Sequence, residues 1–229
     1  MTFSFRRVFA GFMGGLFLIG LCVLSAEAQA EKAFRQTGTA SWYGAWHHGK
    51  VTANGEAFDM FAMTAAHKTI PLGTLVKVTR KDSGKSLVVR INDRGPYKKR
   101  RIIDLSYAAA RSLGMKYKGV ARVSIEVVGD RKGRLLSDRQ ELYVRLQDGL
   151  PTPQSVQRQL GRLIRLGLRD ASSLLHIHGD VMALGPFLTF DEAQSALVRV
   201  ATTHPAANIM LAEKGIMKPA IGGLALKHR

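Results

Sequence analysis

Acid is scarce in this chain. Seventeen Asp and Glu stand against 34 Lys and Arg in 229 residues, a formal net charge of +17. Such an excess favours anionic partners, whether nucleic acid, membrane surfaces or acidic wall polymers. Cysteine is scarcer still. The one cysteine, Cys22, lies inside an apolar N-terminal run, so no disulfide framework holds the remainder and core packing must. No G-x-S-x-G turn, phosphate loop or dinucleotide fingerprint occurs, which removes the usual signatures of serine hydrolysis and nucleotide chemistry. His, Cys and Asp nowhere cluster at metal-site spacing, so neither metal nor cofactor is expected.

The N-terminus is built for export. Arg6 and Arg7 precede Val8 to Leu24, which is almost continuously apolar, and the A-x-A pairs Ala26/Ala28 and Ala28/Ala30 follow. That is the pattern of a signal peptide over residues 1–30, with cleavage near 28–30. A membrane anchor is the competing reading, because the run is near the shortest that spans a bilayer; the A-x-A sites favour cleavage. Leu21 precedes Cys22 where lipidation needs a small residue, so a soluble exported protein is expected rather than a lipid-anchored one. Outside the cytoplasm, cell-envelope polymer is a better partner for the positive charge than nucleic acid.

Period-two alternation places strands at Thr39 to Tyr43, Gly73 to Arg80, Lys85 to Asn92 and Val120 to Val128, with Asp82-Ser83-Gly84 turning the middle pair into a hairpin. Arg101 to Leu105 is a further short strand, and Ser106 can cap a helix over 107–113 that Gly114 ends. Residues 45–58 read as a loop. A closed barrel would leave so many short strands without free edges. Charged, glycine-bearing residues 130–140 read as a linker. A second unit over 141–213 has the order βαββαβ. Its first helix opens at Thr152-Pro153 and buries Val156, Leu160, Leu163 and Ile164; its second opens at the Thr189-x-x-Glu192 capping box and buries Ala193, Ala196, Leu197 and Val200. Residues 214–229 read as a loose basic tail. The fold class expected is mainly β plus α/β.

Candidate chemistry gathers between Gly38 and Asp104. Cleaving a glycosidic bond needs a proton for the leaving oxygen and a second group to manage the nucleophile. Asp93 ends a strand, a rigid support, although Asp also suits the Asp-Arg-Gly-Pro turn that follows. Arg94 faces the other side of the strand. Glu56 and Asp59 sit three apart in a loop that they can serve to shape. Asp104 can support the helix start, and His67 fits a satisfied core histidine. Trp42 and Tyr43 can stack on sugar rings, with one of them core, since neighbours on a strand face opposite ways. His176 and His178 lack the further ligands a metal would need. These residues alone define a polar, acid-bearing cleft and no more.

The motifs GTASWYG, TANGEAFD, TAAHKTIPLGT, VVRINDRGP and RIIDLSYAAARSLGM, in that order over residues 37–129, resemble the rare lipoprotein A family of septal-ring lytic transglycosylases. The resemblance implies a six-stranded double-psi β-barrel over residues 36–129, a fold shared with expansins. It also implies cleavage of peptidoglycan between N-acetylmuramic acid and N-acetylglucosamine, in which the muramic C6 hydroxyl attacks its own anomeric carbon to leave a 1,6-anhydro end. On that resemblance Asp93 is the principal acid/base, Glu56 and Asp59 its acidic partners, His67 an orienting group and Asp104 a rival acid. Trp42, Tyr43, Asn54, Thr64, Asn92 and Arg94 would contact the glycan. The second unit resembles a sporulation-related repeat, a peptidoglycan-binding module, through ALGPFLTFDEAQSAL at 183–197. It departs from that repeat at VRLQDGL, 144–150. The partners implied are glycan strands, poor in stem peptides, at the division-site wall. An expansin-like protein that binds and loosens the wall without cutting it is the alternative.

Overall fold

Ser86-Leu87-Val88-Val89 and Leu75-Val76-Lys77-Val78 bury their apolar residues, and the two segments pair antiparallel. They form strands β3 (Leu75–Arg80) and β4 (Ser86–Asp93), the hairpin expected from alternation. The computed structural model describes residues 34–148 and 151–221; residues 1–30 with Cys22, and residues 222–229 of the basic C-terminal stretch, lie outside that range.

Around the hairpin stand β1 (Arg35–Trp42), β2 (Thr64–His67), β5 (Arg101–Leu105) and β6 (Ala121–Val127). The six close into a barrel in the order β1-β5-β2-β4-β3-β6. β1 with β5 and β2 with β4 are parallel, and the other four pairings are antiparallel. The barrel is the expected double-psi architecture. Leu75, Leu87, Ile91, Ile103, Leu105 and Ile125 fill it. The burial of such residues is what holds a cysteine-free core together, each contributing roughly 1.5–3 kcal/mol. Ser106 caps α1 (Tyr107–Ser112) as expected, its Oγ accepting from Ala109 N–H at 3.2 Å.

Strand β2 escaped the alternation analysis. Thr64, Ala65, Ala66 and His67 are all buried, because a strand between two others in a barrel packs on both faces, and two alanines show no polar-apolar rhythm.

The second unit has the expected βαββαβ order with additions. β7 (Gln140–Asp148), β8 (Leu175–His178), β9 (Val181–Phe187), β10 (Asn208–Glu213) and β11 (Lys218–Pro219) form one sheet in the order β10-β7-β9-β8-β11. Helices α2 (Pro153–Arg165), α3 (Ala171–Leu174) and α4 (Phe190–Val200) complete it. Thr152 caps α2 in a reciprocal pair with Ser155. At α4 only half of the expected box forms: Thr189 Oγ1 accepts from Glu192 N–H, while the Glu192 carboxylate accepts from Leu188 N–H. Ile164, expected inside, is 56% exposed.

Two expectations are corrected. The segment read as a linker is a packed turn. Asp130 accepts from Lys132 and Arg134 N–H, Gly129 bridges Leu135, and the Arg131 carbonyl packs where a side chain on Gly73 would start. The tail is not loose at its beginning either: β11 pairs with β8, and Met217 and Ala220 are buried. The two units also share one core and a set of polar ties. Arg90 of β4 pairs with Asp191 at 2.8 Å and lies over the Phe190 ring, and Gln194 Oε1 accepts from Met63 N–H at 3.0 Å. Among the described residues no helix is long and apolar enough to cross a membrane.

Candidate active site

Strand register assembles the site. Ser41 of β1 stands opposite Asp104 of β5, Asp104 opposite Ala66 of β2, and Ala66 opposite Asp93 of β4. Directly opposed residues point to the same face, so these four make one row across four strands. A register shift between Ala65 and Ala66 sets Asp93 into that row. Asp93 and Asp104 are two strands apart, about 10 Å between backbones, with the small Ala66 side chain between them and Gly95 packed over it.

Each carboxylate is held differently. Asp93 Oδ1 accepts from Ala53 N–H at 2.9 Å and Arg94 N–H at 2.8 Å, which leaves Oδ2 without a partner among the described residues. Asp104 is engaged at both oxygens, by the Ser41 hydroxyl and by Arg101 Nη2 at 3.3 Å. Glu56 Oε1 accepts from Asn92 Nδ2 at 2.7 Å. The loop that carries Glu56 is itself ordered. Asn54 N–H donates to the Asn92 carbonyl, Asn54 Oδ1 accepts from Thr52 Oγ1 and Glu56 N–H, and Val51 bridges Ala57. Residues 45–58, read as plain loop, thus form a turn of 3-10 helix and a miniature hairpin.

Tyr43 follows the end of β1, its backbone N–H donating to the Leu105 carbonyl of β5. It is on the same face as Ser41, and its ring stacks on buried Phe58 at 4.4 Å. Its hydroxyl is shut off from solvent and has no hydrogen-bond partner among the described residues. Burial pushes the phenol pKa well above its ordinary value, and the charges of Asp93, Asp104 and Glu56 push it further. Tyr43 is therefore neutral, and its hydroxyl lies within range of the charges of the three acids. Its neighbour Trp42 turns the other way and packs edge-on against Tyr107 at 5.7 Å, which makes it the structural member of the aromatic pair.

Other candidates stand apart. Asp59 serves its own turn: Oδ1 accepts from Phe61 N–H at 2.9 Å. His48 Nδ1 lies 3.9 Å from Asp59 Oδ1 and accepts from Met60 N–H. Arg94 Nη1 donates to the His67 and Ile70 carbonyls. Thr64 is buried in β2, its hydroxyl without a hydrogen-bond partner among the described residues. His67 is 3% exposed. Its Nδ1 accepts from Thr69 N–H at 3.2 Å and Ile70 N–H at 3.0 Å, so the proton is on Nε2, 3.2 Å from Gln36 Oε1. Burial, aided by Arg94 and Lys68, lowers its pKa to about 4. It is thus a neutral brace for the turn after β2, not a proton carrier at neutral pH.

Sequence reasoning passed over Ser41 and Ala66. Their only signal was small residues two and one places from motif residues, in strands whose partners cannot be read locally.

A family model described as lytic transglycolase matches residues 35–125. The endolytic peptidoglycan transglycosylase RlpA of Neisseria meningitidis serogroup A is 38% identical over 169 residues, 71% of this chain and 70% of that protein. Proteins of the same name from Vibrio cholerae and Pseudomonas aeruginosa strain UCBPP-PA14 are 59% and 58% identical over 97 and 95 residues; the matches cover 42% of this chain in each case, and 37% and 28% of those proteins. The chain therefore matches little more than a third of these two relatives at most. Among solved structures, an expansin of Clavibacter michiganensis aligns over 52% of this chain and 59% of its own, at 20% identity and a TM-score of 0.37. On its likeness to the Neisseria protein, carried over more than two thirds of both chains, this chain belongs to the RlpA family of endolytic peptidoglycan transglycosylases.

Proposed function

We propose that the chain is an exported lytic transglycosylase acting on peptidoglycan in the cell envelope. It cuts between N-acetylmuramic acid and N-acetylglucosamine and leaves 1,6-anhydro ends, with stem-peptide-poor glycan at the division-site wall as substrate. The observation that carries this reading is the strand register that sets Asp93 and Asp104 in one row, with Asp93 Oδ1 held by two backbone N–H groups, on the barrel that the lytic transglycolase model matches. The names of the relatives supply the substrate.

Asp93 is the acid/base. Its Oδ2, without a partner among the described residues, is the oxygen through which a proton passes to the glycosidic oxygen as the anomeric C–O bond breaks. The same oxygen then takes the proton of the muramic C6 hydroxyl as O6 bonds the anomeric carbon. The proton account closes on one carboxyl, and no water is consumed. Glu56, fixed by Asn92, faces the charge that develops on the sugar ring, and Asp104 completes the acidic wall. The Tyr43 hydroxyl is closed off in this structure and has no partner among the described residues, so it donates to the substrate only after the groups that cover it shift on binding. His67, Arg94 and Asn54 hold the backbone from which Asp93 and Glu56 project. The second unit, whose ALGPFLTFDEAQSAL segment runs along β9 and α4, is read as a sporulation-related-repeat-like glycan-binding module.

The test is digestion of stripped and intact sacculi by purified residues 31–229, with released sugars identified by mass spectrometry. Anhydro-terminated products are expected. Sacculi that are bound but never cut would make the chain an expansin-like wall-loosening protein instead. Tyr43→Phe sharpens the assignment. It removes a buried hydroxyl that has no protein partner, so stability to urea should hold or rise by about 1 kcal/mol. Turnover should fall about tenfold, the value of one lost hydrogen bond. Unchanged turnover would take Tyr43 out of the site.

A further inference from the structure

The loop that joins the two aspartates of the row bears a patch of charge that the site so far described does not use. It runs from Arg94 to Arg100, between Asp93 at the end of β4 and Arg101 at the start of β5. Its two ends are pinned inward: Arg94 clasps the carbonyls after β2, and Arg101 pairs with Asp104. Gly95, at φ 143, crosses directly over the row; a side chain there would begin 3.7 Å from Ala66 Cβ, between the two acids. Beyond it the chain turns outward.

Tyr97 is 90% exposed, and Lys98, Lys99 and Arg100 are exposed as well. None of these three cations makes an ion pair among the described residues. Arg100 is the one non-glycine residue among them in the left-handed region, at φ 68, a conformation that side chains disfavour and that here reverses the chain into β5. The loop between the two aspartates thus holds, in a disfavoured turn, three exposed cations without an ion pair among the described residues.

The acids Asp93 and Asp104 stand on the two strands that this loop joins, and the loop itself carries Lys98, Lys99 and Arg100. A neutral sugar would need no such cations, whereas a polymer with carboxylates along its length would be repelled by Glu56, Asp93 and Asp104 unless cations met those groups outside the reacting centre. We infer that Lys98, Lys99 and Arg100 form a carboxylate-binding subsite at the mouth of the cleft, which engages acid groups hanging from the glycan while the sugar backbone enters. This rests on the reading of the cleft as a glycan site. The carboxylates have two sources in peptidoglycan: the lactyl group of muramic acid once its peptide has been removed, and the stem peptide itself.

The test uses the full chain with Lys98→Gln, Lys99→Gln and Arg100→Gly combined, because glycine keeps the left-handed turn without cost. Binding is measured in an Asp93→Asn background to stripped strands, to peptide-bearing strands, and to both after their carboxylates are converted to neutral amides. The loop variant should bind carboxylate-bearing strands about tenfold more weakly at ~0.1 M salt, with the difference gone near 1 M, as expected for exposed charge pairs. Loss on stripped strands assigns the lactyl carboxylate, and loss confined to peptide-bearing strands assigns the stem peptide. Equal binding of variant and parent on every strand, or an equal loss on amidated strands, would overturn the subsite. Cleavage of unmodified strands by the chain with Asp93 intact separates the two proposals: if nothing is cut while the loop variant still binds carboxylate-bearing strands more weakly than its parent, the catalytic reading fails and the subsite stands.

Discussion

Asp93→Asn should lower release of anhydro-terminated sugars by roughly 10²–10⁴-fold, the range over which a positioned acid/base contributes, while leaving the barrel folded. The geometry makes this a clean substitution. Asp93 Oδ1 is held by two backbone N–H groups, from Ala53 and Arg94, and the Asn carbonyl oxygen can accept both. What changes is Oδ2, replaced by an amide that cannot deliver a proton and return to the same state. Glycan binding should therefore survive with turnover lost, which a sedimentation assay on sacculi would show beside the digest. Asp104→Asn has a different signature. Its carboxylate is tied to Ser41 and Arg101, so the variant breaks an ion pair that braces β5 and should show reduced stability with a much smaller loss of cleavage. If Asp104→Asn stops cleavage and Asp93→Asn spares it, the acid is Asp104 and the assignment is reversed.

The elements that local pattern can encode were legible. The hairpin β3–β4, the Ser106 and Thr152 caps, and the apolar face of α4 all depend on residues within a few positions of one another, and the structure has them where alternation and capping chemistry placed them. Pairings between distant segments were not legible. That β1 runs parallel to β5, and β2 parallel to β4, is decided by how the barrel closes, and nothing in TAAH signals a strand buried on both faces. The site follows the same division. Its acids were named from their motifs, but which of them meet was set by non-local register: the row Ser41–Asp104–Ala66–Asp93 includes two, a returning loop adds Glu56, and Asp59 is spent on its own turn. Tyr43 was noted for its ring, whereas the charges within range of its hydroxyl make that hydroxyl the informative part. The packed 129–136 turn hid behind its composition, because charge and glycine suit a tight, hydrogen-bonded turn as well as a flexible linker.

His67 connects the fold to pH. Its Nδ1 is committed to two backbone N–H groups of the turn after β2, so protonation must break both, in a buried position already beside the Arg94 guanidinium. The folded-state pKa is accordingly lowered from 6.5 to about 4, by burial first and then by Arg94 and Lys68. Between those values the unfolded chain binds the proton and the folded chain does not. Stability is then fully present above pH 6.5 and is lost as pH falls towards 4, by up to about 3 kcal/mol from this one group. His204 is lowered too, chiefly by burial, and adds to the slope in the same direction. Urea unfolding at a series of pH values should thus give a flat free energy near neutrality and a decline below about 6.5. His67→Gln, whose amide oxygen can still accept from the turn, should remove the larger part of the decline and leave the contribution of His204. An unchanged slope would show that His67 does not govern acid sensitivity. The consequence reaches the site through Arg94, which holds the carbonyls of His67 and Ile70 with its side chain and donates its N–H to Asp93. When acid loosens that turn it also loosens the support of Asp93, so activity should fall on the acid side together with stability, and His67→Gln should shift both in parallel.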